Sequence, residues 1–186
     1  EVGLAFAVDL GAGHKTGAYL DLRGLRRAIA EAPLAGARVL NLFSYTGMLG
    51  RAAEAAGAAE LVPVDQSARA LAFAAAHHVV DPAKHRFVEA DVFAAMPDGR
   101  YDLVIVDPPA MTSQVKQVPA VLAAYRRLYT AARDRVAPGG VLVAACCTSR
   151  VERGAFQSTV RAALGPDFAL ERELPPEPDH PVAFPE

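Results

Sequence analysis

The chain has no tryptophan, and its two cysteines, Cys146 and Cys147, are neighbours. Adjacent cysteines are poorly placed to form a structural disulfide, and a reducing cytoplasm fits them. No apolar run approaches the length of a membrane span, so no membrane partner is expected. No charged-then-apolar secretion signal opens the chain. The first residue is Glu1 rather than Met, which reads as a trimmed piece of something longer. Charge of one sign is also scarce. The formal net charge is −2, poor for a nucleic-acid binder. That deficit is local. From residue 165 onward, Asp167, Glu171, Glu173, Glu177, Asp179 and Glu186 face Arg172 alone, and residues 1–164 carry 18 basic and 15 acidic side chains. The resulting balance of +3 permits contact with RNA without arguing for it. His77 and His78 have no cysteine or acid at ligand spacing, so no metal is expected and they read as helix-end surface residues. Arg126-Arg127 and Arg133 with Arg135 read as a solvated helix face.

What is present is apolar. The 186 residues are 52% hydrophobic, enough for one α/β domain with a full core. Helical segments are expected over 24–31, 48–56, 67–79, 119–136 and 152–164. Strands are expected over 37–43, 60–65, 86–89, 101–106, 141–145 and 168–174, with Pro138-Gly-Gly140 as a turn and Pro63 marking a bulge or edge-like site. Two further short strands, Leu4–Leu10 and Ala18–Leu20, flank a loop rich in turn residues. Strands alternate with helices, and their continuous apolar character means cover on both faces. The expectation is a doubly wound, mostly parallel α/β sheet. Residues 1–34 form an extension and residues 35–186 the main domain.

In such a sheet, ligands bind outside the carboxyl ends of the strands. Asn41 to Gly47, Asp65, Asp91 and Asp107 all fall there. One acid at a strand end is ordinarily a helix cap or a turn; three, with the loop from Asn41 to Gly47 as a fourth strand-end element, point to a nucleotide. Asp65 can accept both hydroxyl protons of a ribose. Asp91 can reach an adenine amino group with Val92 against the ring. The loop Phe43-Ser44-Tyr45-Thr46-Gly47 has a single glycine and does not specify a pyrophosphate, which weighs against NAD. A cofactor without phosphates, such as S-adenosylmethionine, needs no glycine-rich loop. Two later strands deliver an acid, Asp107-Pro108-Pro109, and a thiol, Cys146-Cys147-Thr148, to the same sheet edge.

These segments resemble the bacterial 23S rRNA cytosine-5 methyltransferases and their relatives that methylate guanine in the same RNA. The resemblance runs from about His14 to Glu186. It rests on His14-Lys-Thr-Gly-Ala-Tyr-Leu-Asp-Leu-Arg23, Asn41-Leu-Phe-Ser-Tyr-Thr-Gly47, Val64-Asp-Gln-Ser67, Ala90-Asp-Val-Phe93, Asp107-Pro-Pro109, Pro138-Gly-Gly140 and Cys147. It implies a Rossmann-like class I methyltransferase domain that lacks its last strand and an RNA-binding PUA domain ahead of it. It also implies S-adenosylmethionine held by Lys15, Thr16, Gly17, Asn41, Phe43, Ser44, Tyr45, Thr46, Gly47, Asp65, Gln66, Ser67, Asp91, Val92, Asp107 and Pro108. Met111 replaces the family's aromatic after Asp-Pro-Pro-x, and Leu22 replaces a glutamine.

By the same resemblance Cys147 attacks the base and Asp107 holds it, with ribosomal RNA as partner. Taken alone, Cys147 reads as a small buried hydrophobe, and Cys146 as packing. Two other readings stand beside cytosine-5 methylation. One is methylation of a guanine nitrogen, which needs no cysteine. The other is a small-molecule methyltransferase or a cofactor-binding domain whose target-recognition part lies elsewhere.

Overall fold

Leu61–Val64 and Leu103–Val106 are apolar without alternation, and a strand of that kind must be covered on both faces. The computed structural model, which describes residues 3–11 and 18–179, provides that cover. Five parallel strands, β1 (Arg38–Leu42), β2 (Glu60–Asp65), β3 (Val88–Glu89), β4 (Tyr101–Val106) and β5 (Val136–Ala144), lie in the order β3-β2-β1-β4-β5. The order reverses at β1, between β2 and β4, where a doubly wound sheet opens a ligand crevice. On one face α1 (Arg23–Ala30) and α2 (Met48–Ala55) bury Leu25, Ile29, Leu49 and Ala52 against Val39, Leu61, Leu103 and Ile105. On the other, α4 (Val118–Arg133) and α5 (Arg153–Leu164) cover Leu40, Val62, Val104 and Val106. The remaining helix, α3 (Ala68–His77), is capped by Ser67, whose side chain accepts from Ala70 N at 3.2 Å.

Several local expectations are corrected. Leu4–Leu10 is not a strand, because its contacts go to side chains: Ala7 N–H donates to His78 and Asp9 pairs with Arg69. Ala18–Leu20 leads into a short 3-10 turn, Leu20–Leu22. Phe168–Leu174 has no strand pairing among the described residues. Glu173 is drawn onto α5 by Gln157 at 3.1 Å and Arg153 at 3.5 Å, and the segment crosses from one face of the sheet, at Phe168, to the other, at Leu174. Pro138-Gly139-Gly140 lies inside β5 rather than before it, where the register with β4 shifts. A Cβ at Gly140 would meet Tyr101 O and Asp102 O at 3.0 Å, so any larger residue there would have to push the backbone of β4 aside. Pro63 sits in an interior strand opposite Asn41 without a bulge. The irregularity falls on the β3 side, where pairing breaks between Leu61 and Val64.

His78 is also corrected: it is 1% exposed, not a surface residue. A second buried histidine, His85, lies with Nε2 at 3.4 Å from Glu54 Oε2, without hydrogen-bond geometry. Glu54, on α2, accepts from Val80 N at 3.0 Å and Asp81 N at 2.7 Å and so fixes the turn after α3. Among the described residues no helix is long and apolar enough to cross a membrane.

Glu54→Ala should remove the carboxylate that holds two part-buried backbone donors and lower the unfolding free energy by about 1.5–3 kcal/mol. Urea titration checks this, with an unchanged slope showing that the same surface is exposed. A pH dependence follows from the two histidines. Burial pushes both His78 and His85 below their ordinary value, while Glu54 partly offsets this at His85. The unfolded chain takes up protons below about pH 6.5, where the folded one does not. Stability is therefore complete above that pH and falls as pH drops towards the folded values. Urea midpoints at about pH 7.5 and about pH 5.5 should show the loss, and His85→Gln should reduce it.

Candidate active site

The loop leaving β1 is built against local preference. Phe43 has φ 58°, Tyr45 φ 46° and Gly47 φ 79°, so two side-chain-bearing residues occupy the left-handed region. Such a backbone persists only where surrounding contacts hold it. Ser44 N–H donates to Val64 O at 2.9 Å, and Tyr45 N–H donates to Asp65 Oδ2 at 2.8 Å. Asp65 Oδ1 accepts from Ser67 N at 2.9 Å, and its carbonyl accepts from Ala90 N at 3.0 Å. One aspartate thus joins the ends of β1, β2 and β3. Each carboxylate oxygen keeps acceptor capacity for a ligand hydroxyl.

Asn41 and Ser44 carry the strongest sign of a ligand. Both are buried, at 2% and 7% exposure, yet Asn41 Nδ2, Asn41 Oδ1 and Ser44 Oγ have no hydrogen-bond partner among the described residues. Leaving such atoms unsatisfied costs about 1–3 kcal/mol each, so a folded protein ordinarily supplies partners or a ligand does. Phe43 and Phe93 pack at 5.4 Å, and Asp91 Oδ1 accepts from Phe93 N at 2.9 Å, fixing the turn that follows β3. Asp91 is exposed and Val92 is buried beneath it. Gln66 points to solvent. A nucleoside with hydroxyl, amino and carboxylate groups but no phosphates suits this donor set.

At the other side of the crevice, Cys147 Sγ donates to Pro108 O at 3.1 Å. Two residues that the sequence reading passed over keep this turn in place. Tyr129 and Tyr125, one helical turn apart on α4, are fully buried. Tyr129 donates to Ala145 O at 3.0 Å, and the Tyr125 hydroxyl lies 2.9 Å from Thr148 Oγ1 and 3.4 Å from Cys146 Sγ. Thr148 Oγ1 in turn accepts from Met111 N at 3.1 Å. The ends of β4 and β5 are therefore tied through one hydroxyl network. Burial, with a further contribution from Cys146 at each, pushes both phenols far above their ordinary value, so both hydroxyls keep their protons. Cys146 packs against the core. The i, i+4 spacing of two tyrosines on α4 was the available signal.

Tyr19, from the extension, also reaches this region. Its ring packs edge-on against Tyr45 at 5.4 Å. Burial first, then the neighbouring Tyr45, Cys147 and Asp107, raise its phenol above the ordinary value. Lys15, Thr16 and Gly17, with His14, lie outside the described residues. Among the described residues no group of three or more potential metal ligands occurs.

Comparison with known proteins matches this geometry. The sequence profile of the S-adenosylmethionine-dependent methyltransferases covers residues 1–184. The chain belongs to that family. A ribosomal RNA large subunit methyltransferase of Deinococcus radiodurans is 37% identical over 197 residues, covering all of this chain and 48% of the relative. Ribosomal RNA large subunit methyltransferase I of Aeromonas salmonicida is 37% identical over 199 residues, covering all of this chain and 50% of the relative. The chain thus spans about half the length of the curated relatives it matches. A SAM-dependent methyltransferase from Streptococcus mutans superposes with a TM-score of 0.67 at 28% identity, over 80% of this chain and 40% of the other. A methyltransferase solved with S-adenosylhomocysteine superposes with a TM-score of 0.68 at 28% identity, over 80% of this chain and 41% of the other. The Rossmann-like methyltransferase fold and the choice of S-adenosylmethionine over NAD therefore stand.

Asp65→Ala should weaken S-adenosylhomocysteine binding by about 1.5–3 kcal/mol, the range for a hydrogen bond to a charged group. Calorimetry on a variant that still melts cooperatively measures it; unchanged affinity would leave Asp65 as a loop tether only.

Proposed function

We propose that the protein methylates ribosomal RNA of the large subunit, forming 5-methylcytosine with Cys147 as nucleophile. The observation that carries this reading is the thiol of Cys147 lying against the Asp107-Pro108-Pro109 turn, 3.1 Å from Pro108 O. The names of the relatives support the RNA, and the resemblance of the strand-end motifs supports the base. The roles of residues 1–34 as an extension and 35–186 as the transferase domain belong to the same reading. So does action in the cytoplasm, where ribosomal RNA is met.

In this reading the loop Phe43–Gly47, Asp65–Ser67 and Asp91–Val92 hold the cofactor, with Lys15, Thr16, Gly17 and Asn41 contributing. Bound S-adenosylmethionine supplies an electrophilic methyl group on a sulfonium. The residues of the chain then have to make a poor carbon nucleophile into a good one. Cys147 as thiolate adds to C6 of cytosine, and its S–C bond places the electron pair at C5. After C5 takes the methyl group, its proton leaves to a base and the S–C6 bond breaks, restoring the ring and the thiolate. Asp107 orients the base edge for the transfer; positioning of this kind supplies on the order of 7–11 kcal/mol at best. The thiol must first leave the Pro108 carbonyl, because a thiolate has no hydrogen to offer it. The target nucleotide must be unstacked to reach the crevice.

RNA carrying 5-fluorocytosine separates the readings, because fluorine at C5 blocks the elimination. The protein should form a covalent adduct with it. The adduct should persist in Cys146→Ala and vanish in Cys147→Ala, as read by denaturing electrophoresis. Methylation of natural RNA that survives Cys147→Ala, with no adduct, would favour a guanine nitrogen instead.

A further inference from the structure

The histidine that closes α3 takes no part in the chemistry above, yet it is the most constrained polar side chain of the cofactor end. His78 is 1% exposed. Its Nδ1 bonds the carbonyl of Thr46, inside the cofactor loop, while its Nε2 accepts from Ala7 N at 3.0 Å. A backbone N–H can only donate, so Nε2 is the bare nitrogen and Nδ1 carries the hydrogen, which Thr46 O accepts. The ring makes edge-on contacts with Phe6 and Phe73, each at 5.8 Å. Hydrophobic packing alone would not need an imidazole there. What the imidazole adds is a two-ended bridge between segments 32 and 71 residues away in sequence.

We infer that His78 is a positioning residue for the cofactor: it locks residues 4–10 onto the left-handed loop Phe43–Gly47, and cofactor affinity depends on that lock. The inference rests on the cofactor reading of this loop. Three observations carry it. First, the loop depends on outside tethers, and Thr46 O is held by His78 as Tyr45 N is held by Asp65. Second, α3 abuts the loop directly, since a Cβ at Gly47 would stand 2.9 Å from Ala74 Cβ. Third, both flanks of residues 12–17 are tied to the same loop. On one side Ala7 reaches it through His78, supported by Asp9 against Arg69 at 2.8 Å. On the other, Tyr19 packs on Tyr45, and its carbonyl is held by the buried Arg26 at 2.9 Å. In sequence, Lys15-Thr16-Gly17, assigned to the cofactor by resemblance, falls between these two tied segments.

The bridge needs neutral imidazole. A proton on Nε2 would face the Ala7 N–H, donor against donor. Burial opposes that proton most, and His77 of α3 and Arg51 of α2 oppose it further, while the Thr46 carbonyl favours it; Arg26 lies over Phe6, Asp9 of the bridged segment is paired with Arg69, and His85 lines the same cavity of about 10 Å³ as His78. Cofactor affinity should accordingly hold at neutral pH and weaken as His78 takes a proton.

The test uses S-adenosylhomocysteine alone, so it does not depend on which base is methylated. His78→Leu should raise its Kd by about fivefold or more. It should also speed amide exchange in 4–10 and 43–47 together. The KM for the cofactor should rise while kcat at saturating cofactor is kept. A cooperatively melting His78→Leu whose Kd stays within about twofold of the parent would overturn the inference. If that variant does not fold, His78→Asn decides, since its amide can still donate to Thr46 O but does not titrate. Parent affinity should hold from about pH 7.5 to about pH 6.5 and weaken only at lower pH, because burial keeps the folded His78 below its ordinary value, with His78→Asn losing most of that slope. Parallel slopes would overturn the inference. A parent protein that binds no S-adenosylhomocysteine would remove the cofactor reading and this inference with it.

Discussion

Five residues, Phe43 to Gly47, cannot hold their shape unaided, and the carboxyl ends of β1, β2 and β3 are arranged around that fact. Left-handed backbone at Phe43 and Tyr45 is costly without glycine. The cost is met by contacts from three directions: the end of β2, the carboxylate of Asp65 and the imidazole of His78. In return the loop leaves Asn41 and Ser44 buried with their polar atoms unspent. A loop that satisfied itself would have nothing left for a ligand. Preorganisation here consists of spending backbone donors on the protein and withholding side-chain ones.

The opposite wall of the crevice is organised on another principle. Cys147 and the Asp-Pro-Pro turn are held by a core of aromatic side chains rather than by acids. Tyr125, Tyr129 and Phe156 pack at 5.2 to 6.1 Å, and the two phenols reach up from α4 to the ends of β4 and β5. A buried hydroxyl cannot drift without losing its partner. The thiol therefore sits on a support whose orientation is fixed from the hydrophobic side.

Much of this was legible in the chain. The runs at β2 and β4 fall at the boundaries their composition marked, and Ser67 caps α3 as its side chain suggested. Asp65 and Asp91 lie at the strand ends where alternation of strands and helices put them. What was not legible depended on partners distant in sequence. Leu4–Leu10 and Phe168–Leu174 carry strand-like residues, but one gives its amide to an imidazole and the other its acid to α5. His78 reads as a helix-end residue until Ala7 and Thr46 are seen to close over it. The tyrosines of α4 look like ordinary core, because only the fold reveals which carbonyl or hydroxyl each one meets.

The near-contact between Gly47 and Ala74 has a consequence for how the molecule tolerates change. Position 74 is a buried alanine of a plain alanine-rich helix. Yet Gly47 is in the left-handed region, and a Cβ added there would stand only 2.9 Å from Ala74 Cβ, so the loop side of that contact cannot grow without moving α3. What position 74 carries therefore bears on what position 47 can accept, although Ala74 itself is plain helix. Drift at Ala74 and drift at Gly47 are one event seen from two ends.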